Sequence, residues 1–540
     1  MARQASDEND HIRVDAPDTE LDARRGTDTV FVTASGAVIN GGLGDDWLTT
    51  TIDFVREPME DEDGEEREDA VRELTTELRG DAGDDHLHAS IRGRHDDFGD
   101  ALNLTAKLDG GDGEDVLWID LAGSGGLAEA FVDAGTGNDI VRVNTMTVDG
   151  YFGVSGPTTV EGGDGDDDIS IFADGGGPDL PGAYNHAIVN GGAGNDRIET
   201  YLDAYSIDAG ATLNELDGGD GDDVIRAVAE AGSTFGESQN DVRGGAGDDD
   251  IEVTAIIRAY LDGKGQNEVR GDEGDDRIVA AVEVGREPGD GFDALIGENR
   301  LSGGDGEDTL SARIDLMGDR AQGTNELIGG AGGDRLTARL TLSPEGEGDE
   351  HTGIIGVNLL QGGDGDDELT AIIRADGVAE DAALHSELAG GEGADRLSVQ
   401  GGDGNILEGN QDDDTLLGGS GDDRLVGGVG DDLLRGRGGD DTFVFGSIRG
   451  GERDRVLGFA IGEDLIDISR VDAKSWRSGN QSFTFDDSGE GGSGRVWVEE
   501  DPDGHGSLVH ADNGRSVLVV SLLDGRSVDA GDYSAGDFLL

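Results

Sequence analysis

Cysteine is absent from the 540 residues, so no disulfide staples the fold and no thiol can serve as a nucleophile. Proline is sparse at 8 residues, which excludes a proline-rich linker or a collagen-like chain. Aromatic side chains make up 4% of the chain and hydrophobic ones 34%, too little for a thick globular core. A narrow interior two side chains across needs no more. No stretch approaches the roughly 18 consecutive apolar residues of a spanning helix, and polar residues 1–30 lack the apolar run of a signal peptide. Positive charge is scarce as well: 39 Lys and Arg face 121 Asp and Glu, for a net charge of -82. Lysine occurs only at Lys107, Lys264 and Lys474. Such a chain repels nucleic acid and anionic membrane surfaces, and it stays expanded until cations neutralise it. Bound cations and the acidic surface of a salt-adapted organism both account for the charge, and they are compatible.

Glycine is abundant, at 97 residues, and it is placed periodically. Residues 400–441 contain QGGDGNILE, GNQDDDTLL, GGSGDDRLV, GGVGDDLLR and GRGGDD. A glycine-rich hexad ends in Asn405, Asp414, Asp423, Asp432 and Asp441, and two residues later comes Leu407, Leu416, Leu425, Leu434 or Phe443. A nine-residue period this rich in glycine does not make an amphipathic helix. It predicts a turn of six and a strand of three whose middle side chain points inward. Two units make one coil, so Asp414 stacks with Asp432 and Asp423 with Asp441 on opposite edges. Carboxylates stacked about 4.8 Å apart repel unless a cation sits between them. A hard, oxygen-seeking cation does so through carboxylates and the carbonyls that glycine turns expose.

Upstream, the hexad returns at longer intervals, ending in Asp46, Asp85, Asp115, Asp139, Asp167, Asp196, Asp223, Asp249, Asp276, Asp308, Asp334, Asp367 and Asp395. From Asp139 to Asp276 the spacings are 28, 29, 27, 26 and 27 residues, close to three nonapeptides. Nine residues before the Asp stand Asn214, Asn240, Asn267, Asn299, Asn325 and Asn358, each with an apolar residue two positions on. Each module therefore reads as a weakened Asn turn, a short strand, a strong Asp turn and a longer strand. Segments such as DDVIRAVAEA and DDDIEVTAII alternate with period two and favour strand over helix. The third hexad position alternates between acid and alanine through Asp164, Ala193, Asp220 and Ala246. Either successive hexads occupy opposite edges or modules pair along one edge; the sequence leaves both open. Residues 56–70, 175–185 and 343–352 read as solvated loops on an edge.

The motif G-G-x-G-x-D-x-U-x binds calcium in RTX proteins, and four consecutive near-matches after a partial one resemble the hemolysin-type (RTX) calcium-binding repeats. The resemblance implies an all-β chain, an elongated parallel β-roll or β-solenoid closed by a C-terminal β-rich cap. It also implies multiple Ca2+ ions held at the hexad-final Asp residues and Asn405. The expected divisions are a tail and first strand at 1–38, a long-period array at 39–399, a nonapeptide β-roll at 400–441 and a cap with a secretion region at 442–540. Within the last, Asp454, Val456, Phe459, Gly462, Asp464, Ile466, Asp467, Ile468 and Ser469 match the segment that follows such repeats, while Gly458 replaces an expected acid. The ending DYSAGDFLL looks like that of substrates of the type I secretion apparatus. The expectation is thus an extracellular, calcium-binding protein with a structural role in a cell-surface layer or matrix, folding when it meets external calcium.

The family also includes metalloproteases, lipases and pore-forming toxins, so catalysis needs its own test. None of the nine histidines forms His-Glu-x-x-His, and no Gly-x-Ser-x-Gly elbow occurs. His86, His88 and His95 form the closest cluster, read as a surface group. The expectation is no enzyme. The alternatives are an unrecognised site in 47–135, or an adhesin or glycan-binding module that displays Tyr201, Tyr205 and Tyr260.

Overall fold

The computed structural model describes residues 3–4, 6–55, 72–94, 102–123, 126–147, 156–176, 183–206, 209–286, 294–318, 320–343, 353–375, 382–447, 452–474, 481–504, 506–523 and 529–540. The described residues form strands, turns and two short 3-10 segments, with no α-helix. The chain divides into two compact units, Met1–Gly297 and Glu298–Leu540.

Each unit is a parallel solenoid in which a strand pairs with the strand two elements later. In the first unit, Arg197–Tyr205 pairs with Asp168–Gly176 on one side and with residues 224–232 on the other. Ala209–Asp220, on the second face of the same coil, pairs with Ala183–Ala193 and with residues 235–246. Val224–Ala246 serves both faces in one strand, with a shift of register between Ser233 and Phe235 where the chain rounds the coil. Alternation is kept throughout: Ile251, Val253, Ala255, Ile257 and Ala259 are all buried. The small and β-branched side chains suit an interior closed by two facing strands.

The solenoid begins earlier than the expected tail. His11–Val14 pairs in parallel with Thr29–Val32, which pairs with Trp47–Val55, and Glu20–Asp22 pairs with Ala37–Leu43. Coils of 18 residues therefore precede Asp46, and longer ones follow.

In the second unit the coils shorten. Beyond Asp395 the strands shrink to Thr415–Leu417 and Leu433–Arg435, each burying one residue, Leu416 or Leu434, and to Thr442–Val444, which buries Phe443 and Val444. The cap follows. Arg495–Glu500, Ser507–Asp512 and Val517–Leu523 run antiparallel, as their alternation predicts, and Val517–Leu523 then adds in parallel to Arg453–Leu457. Phe538–Leu539 pairs with Leu465–Asp467, and Phe459 lies between the rings of Phe443 and Tyr533 at 6.0 and 6.1 Å. Larger rings thus close the end of the solenoid.

One reading of the modules needs correction. The Asn residues do not turn. Asn214 lies in the middle of Ala209–Asp220 with its side chain wholly buried, and Asn240, Asn267, Asn325 and Asn358 are likewise within strands. The longer coil moves its reversal beyond this position, so a residue that begins a strand in an 18-residue coil falls mid-strand here.

Candidate metal centre

Within each unit the hexads stack as columns of turns, and each of three glycines has its own reason. A Cβ on the second, such as Gly111, would collide with the carbonyl of Asp81 one coil earlier, and its φ is +106°. A Cβ on the fourth, such as Gly137, would collide with the carbonyl of Gly113, again at positive φ. On the first glycine, Gly80, it would fill a cradle between the Asp85 carboxylate and the carbonyl of Gly110 in the next coil. The second position admits a few residues in the left-handed region, at Arg24, Asp81, Asp272, Asn410 and Arg437. Asp and Asn tolerate that region best.

The final Asp of each hexad turns inward, and its Oδ1 accepts the backbone N–H of the Asp one coil before. Asp46 donates to Asp85 at 2.7 Å, Asp85 to Asp115 at 2.7 Å, Asp139 to Asp167 at 2.8 Å and Asp196 to Asp223 at 2.7 Å. In the second unit Asp334 donates to Asp367 at 2.7 Å, Asp395 to Asp414 at 2.8 Å and Asp414 to Asp432 at 2.9 Å. All the long-period hexads within a unit share this one edge. The opposite-edge account of the third position therefore falls: Asp164, Ala193, Asp220 and Ala246 are direct neighbours in one column. Alternation leaves acids about 9.6 Å apart there, two strand spacings rather than one. The other edge appears in the short coils, where Asp423 donates to Asp441 at 3.0 Å and Asp441 to Asp464 at 3.0 Å. Asp414 with Asp432, and Asp423 with Asp441, thus stack on two separate edges.

Sequence reasoning missed four members. Asp10 and Asp28 extend the first column upstream, with Asp10 N–H to Asp28 at 2.6 Å and Asp28 N–H to Asp46 at 2.7 Å. Asp454 and Asp464 extend the two columns beyond Asp432 and Asp441. The turn before Asp28 reads ARRGTD, so the glycine signature fails, but the spacing 10, 28, 46 carries the signal. A second row was missed as well. The fifth hexad residue accepts in the opposite direction, as Asn195 N–H to Asp166, Asp222 N–H to Asn195 and Asp248 N–H to Asp222 at 2.8 to 3.0 Å.

The inner row is electrostatically unfinished. Oδ2 of Asp28, Asp46, Asp85, Asp115, Asp139, Asp167, Asp196, Asp223, Asp249, Asp334, Asp367, Asp395 and Asp414 is buried with no hydrogen-bond partner. Buried polar atoms are ordinarily paired, and an unpaired carboxylate oxygen is costly. Burial pushes the carboxyl of Asp85 up to about 8, against the donated N–H of Asp46 and with the neighbouring Asp115 and Asp46 adding to it. Asp414 is likewise pushed to about 8, Asp139, Asp196 and Asp249 to about 7, and Asp167 and Asp223 to about 6, burial being the first cause each time. A raised carboxyl stabilises the fold below its unfolded value near 3.8, and that stabilisation is lost as pH rises through 6 to 8. At neutral pH the row asks for a cation. The donors fit calcium: hard anionic oxygens and glycine carbonyls converging on a cradle that a Cβ would close. Among the described residues no three His, Asp or Glu side chains converge, so an ion held here would draw on hexad carbonyls as well as carboxylates.

Two members of the second edge differ. The amide oxygen of Asn405 already accepts Ser386 N–H at 2.8 Å, and its Nδ2 donates to Asp423 at 2.7 Å. Asp423 is engaged at both oxygens, by Asn405 at Oδ1 and by Gly419 N–H at Oδ2.

The alternative sites gain less. His86 stacks on Trp47 with ring centroids 4.7 Å apart, and His88 lies 5.3 Å from Trp118 and 3.4 Å from Asp120, on an outer face. Their rings are committed to strand-to-strand contacts. His95 lies outside the described residues. Tyr201 stacks on Phe172 and donates to Glu230 at 2.9 Å, Tyr205 is exposed, and the Tyr260 side chain lies outside the described set. The acidic run 56–70 falls outside it too.

Stacked glycine–aspartate turns joined by parallel strands define a β-roll of the calcium-binding type. The family profile of the RTX calcium-binding nonapeptide repeat matches residues 187–204, 206–227, 292–314, 352–371, 399–434 and 408–443. The chain carries RTX calcium-binding repeats, and their β-roll is the fold described above. No curated protein sequence matches it. Among the described residues no helix is long and apolar enough to cross a membrane.

Proposed function

We propose that this is a secreted calcium-binding repeat protein with a structural role in a cell-surface layer or extracellular matrix, and that it folds on meeting external calcium. The single observation that supports it is the column of buried carboxylate oxygens without partners, repeated coil after coil. Residues Asp28 to Asp276 in the first unit, and Asp308 to Asp454 in the second, would hold the ions together with hexad carbonyls. Asp441 would do so on the second edge, where both oxygens of Asp464, like those of Asp423, already accept N–H groups. Calcium supplies the positive charge that these stacked carboxylates lack, and its binding free energy becomes folding free energy.

Before export the chain meets little calcium, and its net charge of -82 opposes compaction. An unfolded chain suits passage through a type I secretion apparatus, for which the ending DYSAGDFLL would be the recognised region. The protein has no catalytic role in this reading. Its acidic side chains are explained by their places in the hexads, and the histidine pair by ring contacts.

Circular dichroism of the full chain tests the proposal. In chelator the spectrum should be that of a disordered chain, becoming β-rich as millimolar calcium is added. Equal β content in both conditions would overturn calcium-driven folding.

A further inference from the structure

One column of the solenoid changes its chemistry along the chain. In the short coils it holds Asp423, Asp441 and Asp464 at turns, where the backbone N–H groups of neighbouring turns are available to carboxylates. In the long coils it lies mid-strand, where backbone N–H groups are spent on the sheets. There it holds asparagine. In the first unit Asn214 Nδ2 donates to Asn240 Oδ1 and Asn240 Nδ2 to Asn267 Oδ1, each at 2.7 Å. In the second, Asn299 donates to Asn325 at 2.9 Å and Asn325 to Asn358 at 2.8 Å. The same amides reach across the interior: Asn267 to the carbonyl of Ala281 at 2.8 Å, Asn299 to Arg313 at 3.1 Å and Asn325 to Arg339 at 3.3 Å. Each acceptor carbonyl is on the strand after the hexad, facing the asparagine across the coil. All these side chains are at most 1% exposed.

An amide carries both donor and acceptor, so each rung donates to the next with nothing added, and the acceptor left over is Oδ1 of the first rung, Asn214, buried without a partner. A carboxylate only accepts, so a carboxylate column needs N–H groups or a cation. The join between the two is visible: Asn405 takes Ser386 N–H on its oxygen and gives its own N–H to Asp423.

We propose that the long coils take calcium along the hexad edge alone, and that the asparagine column is a metal-free clamp holding their two faces together. The inference rests on the calcium reading of the hexads. It goes beyond that reading by assigning two kinds of coil, one loaded on a single edge and one, at 401–464, loaded on both.

The experiment measures bound calcium per chain by equilibrium dialysis and metal analysis of the full-length protein at saturating calcium. Circular dichroism confirms folding of each variant. Asn240→Ala should leave the calcium count unchanged while amides of Ala209–Asp220 exchange about tenfold faster, as expected for a lost buried hydrogen bond. Asn214→Ala, at the first rung, is the milder version should Asn240→Ala not fold. Asp249→Asn should lower the count by at least one ion. A loss of calcium in a folded Asn240→Ala or Asn214→Ala protein equal to that in Asp249→Asn would overturn the metal-free assignment. An unchanged count in Asp249→Asn would instead fail the hexad reading on which the inference stands.

Discussion

The coils of residues 197–276 and those of 401–441 reverse at the same kind of hexad but fill their interiors differently. A long coil buries a run such as Ile251, Val253, Ala255, Ile257 and Ala259, closes over Val269 farther along the same strand, Asp250–Glu273, and adds the amide clamp of Asn240 and Asn267. A short coil buries little more than Leu416 and Leu425, or Leu425 and Leu434. A fully buried leucine contributes about 1.5–3 kcal/mol, whereas ordering each residue's backbone costs about 1–2 kcal/mol. Two leucines in eighteen residues leave the short coil dependent on something besides apolar burial. It also carries carboxylate columns on two edges instead of one. On the calcium reading the same turn therefore serves two regimes: in the long coils the ions would complete an interior that already holds together, and in the short coils they would be the chief source of cohesion.

The largest effect expected from this contrast is an order of loss. When calcium is lowered stepwise in the full chain, amides of Arg424–Val429, Leu433–Arg435 and Thr442–Val444 should lose hydrogen-exchange protection first. Those of Ala209–Asp220 and Arg277–Arg286 should stay protected to a calcium level about tenfold lower, which corresponds to about 1.4 kcal/mol. Simultaneous loss in the two regions would break the comparison and make the array one cooperative unit.

A smaller effect separates the residues of the short coils from one another. Spacing alone makes Asp423 and Asp432 look like the best ligands, because they end the intact hexads GGSGDD and GGVGDD. The structure ranks them otherwise. Asp414 ends the poorer hexad GNQDDD yet keeps a buried, unpartnered Oδ2 and a carboxyl pushed to about 8, while both oxygens of Asp423 are occupied. Asp414→Ala should therefore raise the calcium midpoint for folding several-fold, by about 1–2 kcal/mol for a lost ligand bond to a charged group. Asp423→Ala should shift it less, and a midpoint shift larger for Asp423 would restore the ranking by glycine content.

What the sequence makes legible follows from what each feature needs. Glycines at the second and fourth hexad positions are forced by left-handed turns and close carbonyls, so they announce the turns directly. The inward apolar residue two positions after each Asp is forced by the pleat, so strands and interior were readable too. The columns were not. Asp28 hides because Arg24 takes the left-handed position in place of glycine, at φ 79°, and Asp10 because the residues before it, ASDEN, include no glycine. The asparagines were misplaced at turns because a position-six residue looks the same whether the coil reverses there or several residues farther on. Coil length decides that, and no local pattern around Asn240 records it. The third-position alternation was visible as a pattern, but only the pairing of Asp164 with Ala193 and Ala193 with Asp220 shows that it spaces charge along one edge.

The smallest effect tests whether glycine is required by the turn or merely common in this chain. Gly430 sits at the fourth position of a short-coil hexad with φ 147°, and a Cβ there would run into the carbonyl of Asp412. Gly285 lies near the end of the long-coil strand Arg277–Arg286, without a positive φ and with no atom within 4 Å of where its Cβ would stand. At the first site an added methyl meets backbone that neighbouring coils fix in place, so nothing can move aside, and left-handed backbone adds its own cost. At the second the methyl enters open space and narrows the unfolded ensemble. Gly430→Ala should thus cost at least about 1 kcal/mol, read as a rise in the calcium midpoint. Gly285→Ala should stay within about 0.5 kcal/mol of the parent, on the stabilising side. If Gly285→Ala were the more damaging, the long strands would be held by close backbone packing in addition to side-chain burial, and their independence from the hexad edge would fail with it.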